Sequence, residues 1–332
     1  MSEIKKRIWK FDALDRIQIG PKIVNDTVII GLYKGQIYSV NITTGEKCWS
    51  LKLDCVLDSM TSILVNESIL FVGAINGKIY AISAKTGKGL WEFKTDFLTG
   101  NTGISKFSVE NGVVYFGNEN GYLYGVDIPS GELVWKQYIP SIISNTIISN
   151  NLLFFWHKGY VKDDGGTSFS PRDNGYLKVI DVKSNEQIWD FNINNNPGLI
   201  KKDNHVFIFS DKGIYSINTK ERKIEWENAI NNPYNPLKII NKQIYFCQKH
   251  SINSIDIETG QIELILRTES YPIIEVTENK LLYIKSGIVT EIDIESKKTI
   301  SKHQLEHKEE LSLKSYHDLV IYKIDRNLYC YK

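Results

Sequence analysis

The sequence predicts an all-β chain folded as an eight-bladed β-propeller of four-stranded antiparallel blades. Three observations carry that expectation. A turn-and-tryptophan phrase recurs along the whole chain, each copy contains hairpin punctuation, and the N-terminus supplies a strand that the last copy lacks.

The phrase is clearest in "KTGKGLW" ending at Trp91 and "PSGELVW" ending at Trp135. "TTGEKCW" ends at Trp49 and "KSNEQIW" at Trp189. "KERKIEW" ends at Trp226 with Arg222 in place of the glycine, and decayed copies reach Leu264 and Ser301. Successive copies are 37–54 residues apart, a repeat period in the range of stacked or ring-forming modules.

Each copy reads as β structure. In the second, Ser62–Val65, Ile69–Gly73, Lys78–Ser83 and Leu90–Lys94 are short runs rich in β-branched and aromatic residues. Asn-Gly and Lys-Thr-Gly separate the last three, and glycine accepts the positive φ that hairpin turns require. A four-stranded unit of this kind cannot cover both of its faces alone, and stacking units radially does so. Seven internal units are centred near residues 20–53, 61–95, 103–138, 142–193, 198–228, 236–266 and 271–305. The final segment, "LSLKSYHDLVIYKIDRNLYCYK", ends after three strands. "RIWKFD" with Trp9 matches "GLWEFKTD" and is expected to close that last blade, giving eight blades in one domain over residues 1–332. Tyr38, Tyr80, Tyr124, Tyr215 and Tyr329 recur in phase with the repeat, which points to packing between blades.

Bulk properties narrow the function classes. The hydrophobic fraction is 42%, enough for a substantial core, and 18 tyrosines favour strands. With 40 basic and 39 acidic residues there is no charge pole to hold a phosphate backbone, so nucleic acid is not an expected partner. No 18-residue apolar run exists, so no membrane insertion is expected. Cys48, Cys55, Cys247 and Cys330 form no CxxC and are too sparse for a stapled secreted domain; they read as reduced and mostly buried. "MSEIKKRIWKFDALDR" has no apolar h-region or cleavage site, and the expected compartment is the cytoplasm.

The pattern G-x-ψ-Y-A-ψ-x-x-x-T-G-x-x-x-W resembles the PQQ-like repeat, the blade of the eight-bladed quinoprotein dehydrogenases. The match is best over residues 20–138, recognisable to 228 and faint beyond. The resemblance implies a fold, because the repeated residues build blades and carry no chemistry. In those dehydrogenases, pyrroloquinoline quinone and calcium sit at the propeller axis, many with adjacent cysteines beside the quinone. This chain has no adjacent cysteines and only one modest insertion, so no cofactor and no enzymatic activity are expected; a quinone-dependent dehydrogenase-like enzyme is the alternative. A second branch, the outer-membrane assembly lipoproteins, are bare propellers of similar length that work by binding partners. The sequence shows no lipoprotein signal, but the logic of a non-catalytic ring recruiting proteins through its loops carries over.

The candidate binding residues lie in loops. Blade four contains an insertion over about 157–174, between its second and third strands. Tyr160, Lys162, Asp163, Asp164, Phe169 and Arg172 mix aromatic and charged anchors there, a composition suited to binding another protein. Links on the same face contribute Phe97, Tyr234 and Tyr271. Asp163-Asp164-Gly165-Gly166 does not match a calcium loop and reads as a solvated turn. His303 and His307 would share a face on a helix, but no third ligand is evident, and no metal site is expected. The sequence therefore points to a non-enzymatic, protein-binding propeller, monomeric apart from its partner. Its sharper form is an immunity protein that neutralises a toxin or effector.

Overall fold

The computed structural model describes residues 6–57, 62–96, 103–161, 167–168, 175–230, 233–268, 273–277, 279–305, 312–317 and 319–332. Among these, every regular element is a strand. The N-terminal strand is β1 (Arg7–Asp12). Blade one holds β2 (Ile17–Val24), β3 (Thr27–Leu32), β4 (Gln36–Asn41) and β5 (Lys47–Lys52). Blade two holds β6 (Ser62–Asn66), β7 (Ile69–Gly73), β8 (Lys78–Ser83) and β9 (Gly89–Lys94). Blade three holds β10 (Ser108–Glu110), β11 (Val113–Gly117), β12 (Tyr122–Asp127) and β13 (Leu133–Tyr138). Blade four begins with β14 (Ile142–Ser149) and β15 (Leu152–Lys158), carries the short pair β16 (Tyr160–Val161) and β17 (Thr167–Ser168), and ends with β18 (Tyr176–Asp181) and β19 (Gln187–Asn192).

Blade five holds β20 (Gly198–Lys202), β21 (His205–Ser210), β22 (Gly213–Asn218) and β23 (Lys223–Asn228). Blade six holds β24 (Tyr234–Ile240), β25 (Gln243–Gln248), β26 (Ser251–Asp256) and β27 (Ile262–Arg267). Blade seven holds β28 (Ile273–Val276), β29 (Lys280–Lys285), β30 (Ile288–Asp293) and β31 (Thr299–Gln304). Blade eight holds β32 (Ser312–Tyr316), β33 (Leu319–Ile324) and β34 (Asn327–Tyr331), completed by β1 in the order β1-β34-β33-β32. The chain is thus all-β with eight four-stranded antiparallel blades. Two compact units divide it: Met1–Lys52 with Pro233–Lys332, and Leu53–Asn232. The first carries blades six, seven, eight and one, and the second carries blades two to five.

The last blade closes as the sequence predicts. Trp9, Lys10 and Phe11 stand opposite Cys330, Tyr329 and Leu328, after a bulge between Arg7 and Trp9. Lys6 and Lys332 extend the ladder by exchanging backbone hydrogen bonds of 3.0 and 3.2 Å. An open three-stranded edge would present unpaired amides, and β1 covers it.

The turn between the third and fourth strands has a fixed chemistry. Asn41 Oδ1 accepts from the amides of Thr43 and Thr44 at 2.9 Å. Asp181, Asn218 and Asp256 repeat this side-chain capping in blades four, five and six. The residue four positions later has φ between 54° and 76° in each of these blades: Gly45, Asn185, Arg222 and Gly260. Glycine, and asparagine less freely, accept that conformation.

These turns receive the tryptophan of the preceding blade. Trp9 Nε1 donates to Ile42 O at 3.0 Å, and Trp91 Nε1 to Ile128 O at 2.7 Å. A Cβ on Gly45 would lie 2.7 Å from the Trp9 ring, and one on Gly131 2.7 Å from the Trp91 ring. Where blade four has Asn185 instead, Trp135 Nε1 donates to its Oδ1 at 2.9 Å. Two residues beyond the tryptophan, a phenylalanine meets the recurrent tyrosine of the next blade. Phe11 lies 5.6 Å from Tyr38, Phe93 5.7 Å from Tyr124, and Phe191 5.9 Å from Tyr215. The tyrosines therefore pack between blades, and Tyr124 is fully buried with its phenol pushed upward by that burial.

The core lies in these seams. Phe71, Ile79 and Ala81 of blade two join Ile104, Phe107, Val114, Phe116 and Val126 of blade three in one buried cluster. Trp9, Ile321, Leu328 and Cys330 of blade eight do the same with Val28, Ile30 and Val40 of blade one. None of the four cysteines is in a disulfide. Only Cys247 and Cys330 are buried; Cys48 is exposed and Cys55 half-buried, because they lie on or just after the outer strand of blade one. Burial pushes the Cys247 thiol up to about 12, so it stays protonated and unreactive.

Gly131→Ala places a methyl both into the Trp91 indole and onto a φ of +74°. It is expected to cost about 2–4 kcal/mol in urea unfolding. Gly112→Ala, at a comparable φ with open space around it, is expected to cost only about 1 kcal/mol.

Candidate functional site

Blade four departs from the repeat between its second and third strands. β15 and β18 pair from Leu152–Asp181 as far as His157–Tyr176. The chain then turns at Gly159, with φ of +71°, into a separate ladder in which Tyr160 pairs with Ser168 and Val161 with Thr167. Within the sequence-predicted insertion, β16 and β17 therefore form a two-stranded antiparallel ladder beyond the paired ends of β15 and β18.

Its base is held by tight packing and hydrogen bonds. Gly175 returns the chain to β18 so close to its neighbours that a Cβ there would lie 2.5 Å from Trp156 Cζ2 and 2.6 Å from Ile193 O. Trp156 Nε1 donates to that same carbonyl at 3.1 Å, and Ile193 N donates to Gly175 O at 2.9 Å. On the other leg, Ser141 Oγ donates to Gly159 O at 2.6 Å and lies 2.8 Å from His157 Nδ1. One hydroxyl proton serves the carbonyl, so the network assigns the hydrogen of the neutral imidazole to Nδ1. The ring stacks on Tyr176 at 5.7 Å and is 9% exposed. Nε2 is buried without a hydrogen-bond partner among the described residues. Burial, and secondarily the charge of Lys178, lower the His157 pKa to about 4. A hairpin rooted this firmly is displayed from a rigid platform.

Of the expected binding residues, Tyr160 falls in β16 and Tyr234 in β24, where it pairs with Cys247. Lys162, Asp163, Asp164, Phe169, Arg172, Phe97 and Tyr271 lie outside the described residues. His303 is in strand β31, and the helical pairing considered with His307 does not apply to it; His307 is also outside the described residues. No group of three His, Cys, Asp or Glu converges as a metal site among the described residues.

Ser301, His303 and Glu291 invite comparison with a hydrolytic triad. Ser301 Oγ is 2.7 Å from His303 Nε2, and Glu291 Oε1 is 3.7 Å from that same nitrogen. A triad needs the carboxylate on the opposite ring nitrogen, where it orients the base. The cavity beside His303, walled by Val289, Leu305, Val320 and Tyr331, is no larger than a water molecule. All three residues lie in blade seven, and His303 lines the small cavity against Val320 and Tyr331 of blade eight.

A family model described as outer membrane protein assembly factor BamB matches residues 5–227. The chain belongs to this PQQ_2 family. No curated protein matches it. Among solved structures, it is similar to the computationally designed Ika8 protein, with TM-score 0.74 and 14% identity over 98% of this chain and 99% of the other. It is also similar to BamB from Moraxella catarrhalis, with TM-score 0.66 and 13% identity over 99% and 98%. The quinohemoprotein alcohol dehydrogenase from Comamonas testosteroni gives 0.67 and 10% over 98% of this chain and 76% of that one. A computationally designed protein, BamB and an alcohol dehydrogenase all resemble this chain, so at these identities the likeness is one of fold.

His157 makes the platform sensitive to acid. Its folded pKa lies below the usual 6.5, so its neutral burial stabilises the fold fully above pH 6.5 and progressively less down to pH 4. The loss between pH 7 and 4.5 is expected to be about 2–3 kcal/mol. Urea unfolding of His157→Gln across that range should show a correspondingly shallower fall than the native chain.

Proposed function

We propose that the protein is a non-catalytic binding propeller that recruits another protein through the hairpin of blade four. The observation that carries this reading is the β16–β17 ladder, raised on a base fixed by Gly175, Trp156 and the Ser141–His157 pair. Lengthening a loop costs little free energy, but building a clamped base for it uses specific side chains. The sequence of the insertion supplies Tyr160, Phe169 and Arg172, aromatic and arginine residue types of the kind that anchor interfaces. Membership in a family that bears the description of an assembly factor agrees with a role in protein binding. The partner is one met in the cytoplasm, and neutralisation of a toxic enzyme is the specific form we favour for it.

Replacing residues 160–172 with a short turn is expected to abolish capture of the partner from the native source while the melting temperature holds within a few degrees. Equal recovery of the partner by the shortened and native chains would overturn the proposal. Retention of a chromophore after incubation with pyrroloquinoline quinone and calcium, with dye reduction by alcohols or aldoses, would replace it with the enzymatic alternative.

A further inference from the structure

The first strands of blades six, seven and eight carry a charged layer that the repeat does not require. Lys238 on β24, Glu275 on β28 and Lys314 on β32 occupy one register position, opposite Tyr245, Leu282 and Ile321 of their second strands. Lys22 on β2 holds the same position in blade one, opposite Ile29. Glu275 is the centre. Its Oε1 accepts from Lys238 Nζ at 2.7 Å, and its Oε2 from Lys314 Nζ at 3.0 Å. The carboxylate side chain is 6% exposed, whereas the two lysines keep 40% and 36% of their surface open.

The register position itself needs no charge. In the other unit it is filled by Leu64, Ser108, Ile147 and Ile200, opposite Phe71, Tyr115, Phe154 and Phe207. Those blades have the same four strands. Burying a carboxylate between two lysines seldom stabilises a fold beyond what aliphatic side chains achieve. The layer therefore departs from the repeat at a cost, and at its centre are two cations on one anion. Each ammonium has three donors, and Glu275 takes one from Lys238 and one from Lys314. The remaining donors are held in place by the shared carboxylate and reach accessible space.

We propose that this layer is a binding site for a small oxyanion of two or more charges, of the phosphate class. Lys238 and Lys314 supply charge-assisted hydrogen bonds to it. Glu275 spaces the two ammonium groups and keeps monovalent anions from competing well, since its own charge offsets one of theirs. The site is independent of the blade-four hairpin, and its ligand is small where the hairpin's partner is a protein.

Titration calorimetry of the full chain with inorganic phosphate at fixed ionic strength tests this, with sulfate and chloride as parallel arms. Phosphate and sulfate are expected to bind with Kd of about a millimolar or tighter, and chloride at least tenfold more weakly. Lys238→Gln and Lys314→Gln should each weaken phosphate about tenfold, whereas Lys314→Arg should retain it. Glu275→Gln should tighten phosphate severalfold, because it removes the competing carboxylate. Circular dichroism at the titration temperature establishes that each variant is folded. A purely structural clamp predicts the opposite pattern, with melting temperatures lowered and no phosphate heat in any variant. That result, or phosphate binding indifferent to Lys238 and Lys314, overturns the proposal.

Discussion

The contact on which the architecture depends is an indole ring seated on the turn of the next blade. Trp9 on Gly45 and Trp91 on Gly131 have the same geometry, an N–H to a carbonyl and a ring face where only a hydrogen fits. The turn must hold φ near +75° to offer that face, and the aspartate or asparagine capping it holds the turn. A local backbone preference thus fixes a long-range contact, and the contact fixes the spacing of successive blades. The buried clusters between blades then form on surfaces already brought together.

Where this contact decays, another interaction takes its place. Blade five has Arg222 at the turn position, and its guanidinium reaches Asp181, which caps the turn of blade four. Blade seven has Lys297, paired with Glu263 on the outer strand of blade six, the blade in which Leu264 stands for tryptophan. Both residues retain positive φ, a strain that a charged side chain with a partner across the seam helps to offset. The drift of the late repeats is therefore an exchange of one kind of seam for another, ring on turn for ion pair, without loss of the blade.

This exchange explains how far the sequence could be read. The strands of blade two are legible to within one residue because Asn-Gly and Lys-Thr-Gly punctuate them, and β1 was legible because Trp9 and Phe11 copy Trp91 and Phe93. Arg222 and Lys297 were legible only as damage to a motif, since their partners Asp181 and Glu263 are 41 and 34 residues away and nothing local marks them. The capping Asn41, Asp127, Asp181, Asn218, Asp256 and Asp293 carried a usable signal, four residues before the turn position, that the tryptophan phrase overshadowed. The insertion was visible as excess length, but its hairpin pairing and its clamp through Ser141, His157 and Gly175 depend on which residues face each other across β14, β15 and β18. The layer of Lys238, Glu275 and Lys314 was hidden for the same reason. It is one register position seen on neighbouring blades, and a linear reading sees three unrelated charges.

The place of the insertion follows from the same constraints. A blade has three internal turns, and two are committed. The turn before the fourth strand receives the indole of the preceding blade. The turn between the first and second strands is two residues long in blades one to six, with a residue at positive φ in each, and in blades three to five it is tied sideways. Asn150 and Asn151 donate their amides to Glu110 at 2.8 and 2.7 Å, and Asn150 Nδ2 reaches Asn204 and Thr219 of blade five. Lengthening either turn would break a seam. Among the described residues, the connection between the second and third strands of blade four is tied within its own blade, by Ser141 Oγ to Gly159 O and by Ile193 N to Gly175 O. Growth of this connection in blade four therefore leaves the two seam-forming turns in place while the core stays as the repeat dictates.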